Sequence, residues 1–231
     1  MRRHIPNTIT CCNLLSGCVA ATYAFEGIYT IAFVCIIMGA VFDFFDGLTA
    51  RALKVSSPIG KELDSLADVV TFGFAPAAMV LSWLRECADA HLDMLVAFVV
   101  PFLAFLLVAF SALRLAKFNV DERQTSSFIG LPTPANALFW GALVLGSHDK
   151  MVASPFGWVL IVALVLLFSW LLVAEIPMFS LKFKSLAWKP NRIAYIFLLV
   201  SLVLLICLGL NGLSAVIGWY IILSVLTQKR A

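Results

Sequence analysis

Long apolar runs separated by short polar turns fill almost the whole sequence, and they restrict the fold more than any other feature. Apolar residues make up 62% of the 231 residues, whereas soluble domains contain about 45–50%. The runs are much longer than the ~10 residues of a membrane β-strand and do not alternate strictly, so they predict helices, which satisfy their backbone polar groups internally. We therefore predict an all-α polytopic membrane protein with a single domain over residues 1–231.

The apolar runs predict about eight transmembrane helices, at residues 9–26, 30–52, 60–84, 94–117, 135–147, 155–174, 194–210 and 213–227. If the N-terminus is cytoplasmic, every Lys and Arg except Arg85 and Lys150 falls on the cytoplasmic side, as the positive-inside rule requires. Both termini are therefore predicted to be cytoplasmic. This bias also accounts for the net charge of +3 without a nucleic-acid partner. No cleavage signal follows the N-terminus promptly, which favours a first run that is retained as a span in a prokaryotic inner membrane.

Histidine and cysteine residues do not form a metal-binding pattern in this sequence. His91 and His148 fall in two short predicted loops without a partner at ligand spacing, so we expect ordinary loop residues. The six cysteines are scattered through apolar runs and never show CxxC spacing, which predicts neither a disulfide framework nor a zinc site.

Four aspartates in one stretch, Asp43, Asp46, Asp64 and Asp68, contrast with this apolar background. Asp43 and Asp46 are spaced to share one helical face, and Asp64 and Asp68 repeat the pattern on the next helix. A short polar link joins the two helices, so both carboxylate faces can meet near the cytoplasmic surface. Four close carboxylates repel one another unless a cation holds them, and oxygen ligands favour magnesium, manganese or calcium over zinc.

Small residues and one arginine accompany the aspartates in register. Gly47, Ala50 and Gly60 leave room for a ligand or for close helix approach. Arg51 always carries its charge and can donate a bidentate fork to a phosphate. Acids, a metal and an arginine together indicate phosphoryl transfer.

These residues spell DxxDGxxAR, eight residues, then GxxxDxxxD, which resembles the signature of the CDP-alcohol phosphotransferase family at every fixed position. The resemblance implies a six-helix core plus two further helices, a homodimer, and an integral membrane enzyme that attaches an alcohol to the phosphatidyl group of CDP-diacylglycerol and releases CMP. It implies a pair of Mg²⁺ or Mn²⁺ ions held by Asp43, Asp46, Asp64 and Asp68, with Asp68 also the catalytic base. The residues that it implies for CDP binding are Gly47, Ala50, Arg51 and Gly60.

Three further stretches resemble the branch of this family that uses L-serine as the acceptor. IPNTITCCNLLSGCVA contains Asn13, which could hydrogen-bond the nucleotide or another helix. ALRLAKFNV contains Arg114 and Lys117, and Arg114 is placed to bind the carboxylate of serine. FIGLPTPANA, at residues 128–137, precedes the fifth predicted helix. We expect the active site to face the cytoplasm, and the serine hydroxyl to attack phosphorus directly, without a covalent enzyme intermediate.

Other functions stay open at the level of the sequence. Glycerol 3-phosphate or another polar alcohol could be the acceptor, with Arg114, Lys117 and Arg123 as additional cations. A divalent-cation transporter could also use four acids, although no second copy of the aspartate pattern supports an internal repeat. A catalytically inactive scaffold is disfavoured because all eight motif residues are intact.

Overall fold

The computed structural model describes residues 4–55, 57–121, 128–178 and 188–227, and helices dominate this part of the chain. The α-helices are α1 (His4–Phe25), α2 (Tyr29–Leu53), α3 (Pro58–Asp68), α4 (Ala75–His91), α5 (Met94–Val99), α6 (Leu106–Val120), α7 (Thr133–Ala153), α8 (Gly157–Val173), α9 (Trp188–Leu208) and α10 (Leu210–Leu226). A π-helical segment, Val69–Phe74, joins α3 to α4, and a 3-10 segment, Val100–Phe105, joins α5 to α6. Two short strands, β1 (Phe128–Ile129) and β2 (Pro177–Met178), pair antiparallel.

The prediction of an all-α membrane protein is confirmed. Five helical stretches are long and apolar enough to cross a membrane: His4–Phe25, Tyr29–Leu53, Pro58–His91, Met94–Val120 and Asn191–Leu208. Two shorter apolar helices, α8 and α10, have 17 residues each, and α7 covers the short run predicted at 135–147 with 21 residues. Each predicted run thus overlaps a helix, while the count of eight crossings and the cytoplasmic orientation of the termini stay predictions.

The turn between α2 and α3 sets the geometry of the aspartates. Lys54 ends α2 in the left-handed conformation, with φ at 52°, and its backbone N–H donates to the carbonyls of the last turn. Ser57 begins α3 as its N-cap, because its hydroxyl accepts a hydrogen bond from the backbone N–H of Gly60 at 3.0 Å. Pro58 occupies the first turn, as predicted, where its missing N–H has no cost. The short link turns the chain back, so that α3 packs against α1 and its aspartates approach Asp43 of α2.

The core lies where α4 passes through the helical assembly. The stretch Pro58–His91 is the most buried of the five candidate spans, and Asn191–Leu208 is the least buried. Small side chains line the contacts of α4 with its neighbours and allow close helix approach. Fully buried alanines of the core include Ala20, Ala24, Ala32, Ala75, Ala77 and Ala78.

The expectation that His91 and His148 are ordinary loop residues was wrong. His91 ends α4 and His148 lies inside α7. The Nε2 atom of His148 lies 3.0 Å from a carboxylate oxygen of Glu86, so the histidine has an acidic partner on another helix. The partner was missed because the two residues are distant in sequence. All six cysteines are free, as predicted.

Candidate metal and nucleotide site

Three of the four aspartates converge between α2 and α3. Carboxylate oxygens of Asp43, Asp64 and Asp68 all lie within 4.8 Å of one another. Asp68 is buried, with 9% of its surface exposed, and Asp43 and Asp64 are half-buried. Helical spacing produces this arrangement, because Asp64 and Asp68 stand one turn apart on α3 and face the carboxylate of Asp43 on α2.

Asp46 lies beside this group and turns one carboxylate oxygen toward α1. The hydroxyl of Thr10 donates a hydrogen bond to that oxygen at 2.7 Å. Asp46 remains close enough to Asp64 for their charges to interact. Its predicted role as a metal ligand stays a prediction, with Thr10 as the residue that orients it.

The donor set fits a hard divalent cation. All the converging atoms are carboxylate oxygens, which magnesium, manganese and calcium prefer. Among the described residues, no Lys or Arg forms an ion pair with any of these four aspartates. Mutual repulsion would destabilise this cluster unless a cation or protons neutralised it. The residues present could therefore hold a metal ion.

A cavity of about 280 Å³ opens beside the aspartates. Its walls include two of the acids, Asp46 and Asp64, and three of the residues predicted to bind CDP, Gly47, Ala50 and Gly60. A side chain at Gly60 would intrude here, since a Cβ atom would lie 3.1 Å from the Ser57 hydroxyl. The small residues therefore leave space next to the acids, as the sequence indicated.

Arg51, also predicted to bind CDP, is exposed and does not line the cavity wall. Its guanidinium nitrogens lie 3.7 and 4.0 Å from the position that a Cβ on Gly47 would take. The side chain thus folds back over a residue of the cavity wall, where its charge is available to a bound anion.

Four polar residues of the cavity wall were missed by the sequence interpretation: Asn7, Thr10, Ser57 and Lys61. Asn7, Thr10 and Asn13 follow one another at three-residue intervals on α1, a helical spacing that could have revealed this polar face. The Lys61 ammonium donates a hydrogen bond to the backbone carbonyl of Asn119 at 2.9 Å. This bond ties α3 to the end of α6 and brings a cation to the cavity.

Asn13 lies against Asp68 and is not part of the cavity wall. Its side-chain amide donates a hydrogen bond to Oδ1 of Asp68 at 3.3 Å. The residue is fully buried, and its Oδ1 atom has no hydrogen-bond partner among the described residues. Asn13 thus contacts a residue of another helix, and its predicted role in CDP binding stays a prediction.

Arg114 is buried on α6, with 7% of its surface exposed. One of its terminal nitrogens donates a hydrogen bond to the hydroxyl of Thr133 at 3.4 Å, and its Nε atom has no partner among the described residues. The guanidinium is also close enough to Asp68 for their opposite charges to interact. Lys117, one turn further along α6, is exposed, and Arg123 lies outside the described residues.

These features define a class, a helical integral membrane protein whose acidic group could hold a metal ion beside a cavity. A model of the CDP-alcohol phosphatidyltransferase family matches residues 3–228, almost the entire chain. The chain therefore belongs to the CDP-alcohol phosphatidyltransferase family, and it is a membrane enzyme that transfers phosphatidyl groups.

Several curated relatives share the name CDP-diacylglycerol–serine O-phosphatidyltransferase. The protein of that name from Bacillus subtilis is 36% identical over 136 residues, which cover 57% of this chain and 70% of the relative. The one from Helicobacter pylori strain J99 is 30% identical over 223 residues, covering 96% and 89%. The one from Methanocaldococcus jannaschii is 31% identical over 209 residues, covering 90% and 84%.

Proposed function

We propose that this enzyme transfers the phosphatidyl group of CDP-diacylglycerol to the hydroxyl of L-serine, forming phosphatidylserine and CMP. The observation that carries the proposal is the buried Arg114, whose Nε atom has no hydrogen-bond partner among the described residues and whose charge interacts with Asp68 of the acidic group. The acidic group borders a cavity suited to a nucleotide diphosphate, and Arg114 can bind the carboxylate of an amino acid. The shared name of the curated relatives supports serine as that amino acid.

Asp43, Asp46, Asp64 and Asp68 would hold the divalent ions, either Mg²⁺ or Mn²⁺. Such ions neutralise charge on a diphosphate and on its leaving nucleotide when they are bound. Asp68 orients the serine hydroxyl and accepts its proton. The hydroxyl oxygen forms a bond to the phosphorus that carries diacylglycerol, and the bond from that phosphorus to the oxygen of CMP breaks.

The nucleotide would occupy the cavity lined by Gly47, Ala50 and Gly60, with Arg51 above it and Lys61 at its wall. Both cations can pair with phosphate oxygens. Sequence resemblance supports a homodimer in a cytoplasmic membrane, with this cavity open to the cytoplasm. CDP and serine would then enter from water while the diacylglycerol stays in the leaflet.

Arg114 is proposed to bind the serine carboxylate, since a buried guanidinium with an unused donor is costly without an anion. Lys117 is exposed on the same helix, so its predicted role at the acceptor is weaker and would be limited to attracting the anion. The neighbouring Thr133 hydroxyl fixes the guanidinium from the N-terminus of α7.

The test is an acceptor assay with purified enzyme, CDP-diacylglycerol and Mg²⁺, in which CMP release is measured with serine, glycerol 3-phosphate, inositol phosphate or glycerol. We expect release to depend on serine. Release that depends on glycerol 3-phosphate or another alcohol would overturn the choice of acceptor. Cation flux into liposomes without CMP release would favour the transporter instead.

The same assay with Arg114→Lys tests the carboxylate contact. We expect the KM for serine to rise about tenfold or more, equivalent to ~1.4 kcal/mol, because an ammonium cannot reproduce a bidentate fork. The KM for CDP-diacylglycerol should stay within about twofold. Arg85→Gln, which removes an exposed charge on α4, is the matched control, and an equal effect in both variants would contradict the contact.

A further inference from the structure

We propose that Thr71 is a positioning residue, which holds Asn13 of α1 against the π-helical segment and thereby fixes the carboxylate of Asp68. Thr71 lies three positions after Asp68 and is fully buried. It does not belong to the sequence motif, to the acidic group or to the cavity wall. Its importance follows from the residues that it contacts.

Two hydrogen bonds connect Thr71 to Asp68 through a single residue of α1. The Thr71 hydroxyl donates to the backbone carbonyl of Asn13 at 2.9 Å. The side-chain amide of the same Asn13 donates to Oδ1 of Asp68 at 3.3 Å. A shift of α1 relative to the π-helical segment would therefore move the donor that orients the Asp68 carboxylate.

Two glycines on different helices form the seat of Thr71. A Cβ atom on Gly17 of α1 would lie 2.5 Å from the Thr71 hydroxyl and 2.7 Å from its Cα atom. A Cβ atom on Gly39 of α2 would clash with the Thr71 methyl carbon and would lie 3.0 Å from Oδ1 of Asn13. Real Cβ atoms do not approach other atoms so closely, so Thr71 fits only because both neighbours lack a side chain.

The π-helical segment places Thr71 in this seat. Val69–Phe74 follows Asp68 directly, and a π-turn contains an additional residue compared with an α-turn, which changes the direction of the side chains after it. The backbone of Asp68 thus leads into an irregular turn that is anchored at Thr71. The Asp68 carboxylate is oriented by Asn13, whose backbone carbonyl accepts a hydrogen bond from Thr71. The backbone and the side chain of Asp68 therefore both depend on Thr71.

The first experiment separates the hydroxyl of Thr71 from its volume. Thr71→Val keeps the shape and loses the donor, whereas Thr71→Ser keeps the donor. We expect Thr71→Val to lower kcat about tenfold or more, with each KM within about twofold, and Thr71→Ser to stay near the wild-type kcat. Binding of Mn²⁺ alone, followed by electron paramagnetic resonance, should weaken in Thr71→Val and persist in Thr71→Ser. Wild-type kcat and Mn²⁺ affinity in Thr71→Val would overturn the proposal, as would equal losses in both variants.

The second experiment tests the seat by suppression. Gly39→Ala should lower kcat, because the new methyl group meets the Thr71 methyl, and the double variant Gly39→Ala/Thr71→Ser should recover at least about threefold. Gly17→Ala should not be rescued by Thr71→Ser, because its clash includes the Thr71 backbone. If the serine fails to rescue Gly39→Ala, or rescues both glycine variants equally, the seat is not as described.

This inference rests on the proposed function only for the role of Asp68 in the reaction. If wild-type enzyme releases CMP with an alcohol other than serine, the proposed acceptor is wrong and the variants are measured with that alcohol. If wild-type enzyme uses serine but the Thr71 variants behave alike, only the positioning role is wrong. Mn²⁺ binding requires no acceptor, so its result stands in either case.

Discussion

Carboxylates occur in two clusters along α2 and its neighbours, and their partners differ. In the first cluster Asp43, Asp64 and Asp68 converge, and the hydrogen bond that reaches them from another helix comes from a neutral donor, the amide of Asn13. In the second cluster Glu86 of α4 accepts a hydrogen bond from the Tyr29 hydroxyl at 2.5 Å and pairs with His148 at 3.0 Å. Asp43 and Tyr29 belong to the same helix and stand about 21 Å apart along it, at ~1.5 Å per residue.

The partners of each cluster indicate what it does. Glu86, Tyr29 and His148 connect α4, α2 and α7, and the indole of the buried Trp83 donates a further hydrogen bond to the backbone carbonyl of His148 at 3.3 Å. A cluster that joins three helices through such contacts stabilises the fold without a metal. The aspartate cluster concentrates negative charge without an ion pair to a described Lys or Arg, so it lowers stability until a cation binds. Carboxylates crowded together therefore mark the functional end of the helices, and a single carboxylate with partners on other helices marks the structural end.

Removal of divalent metal should have the largest effect, and it should affect the aspartate cluster but not the Glu86 cluster. With excess EDTA we expect CMP release to fall below about one hundredth of its starting rate, because the aspartates cannot position a diphosphate without a cation. Added Mg²⁺ or Mn²⁺ should restore it. The intrinsic fluorescence of the tryptophans, Trp83 among them, should stay unchanged in EDTA, since the Glu86 cluster needs no metal. Full activity in EDTA would remove the distinction between the clusters.

Asp64→Asn should have the next largest effect, because it neutralises one carboxylate of the acidic group. We expect kcat to fall about a hundredfold or more, since a neutral amide binds a divalent cation less strongly than a carboxylate. The melting temperature measured in EDTA should be equal to or higher than that of wild type, because one repelling charge is gone. Asp89→Asn, an exposed residue on α4, is the matched control and should change neither value. A clear fall in melting temperature in Asp64→Asn would mean that the acidic group is structural after all.

Local spacing explains why the sequence predicted the aspartate cluster. Asp43 and Asp46, and then Asp64 and Asp68, stand at helical intervals, and Pro58 indicates the start of the second helix. Two faces joined by a short link have few ways to pack, so their meeting could be anticipated. Gly47, Ala50 and Gly60 share this register, and they line the cavity for the same reason.

Contacts between distant helices could not be predicted in this way. The Thr10 hydroxyl reaches Asp46 across 36 positions, and the Thr71 hydroxyl reaches Asn13 across 58. The partner of His148 depends on how α4 and α7 pack, which no local pattern encodes. For the same reason Asn13 could be placed on a helical face, while its partner Asp68 became known only from the structure.

Tyr29→Phe should have the smallest effect, and it concerns the cluster of Glu86, Tyr29 and His148. The substitution removes the hydroxyl that donates to Glu86 and keeps the buried ring. We expect the free energy of unfolding to fall by about 1 kcal/mol, the typical contribution of one hydrogen bond, and the melting temperature to fall by about 2–4 °C. The kcat measured below the transition should stay within about twofold of wild type, because Tyr29 is roughly 21 Å from Asp43 along α2.

Tyr23→Phe is the matched control, since the half-buried Tyr23 hydroxyl makes no hydrogen bond to a described residue. If Tyr29→Phe lowers kcat strongly at an unchanged melting temperature, the paired cluster also serves the reaction, and pairing no longer separates structure from function.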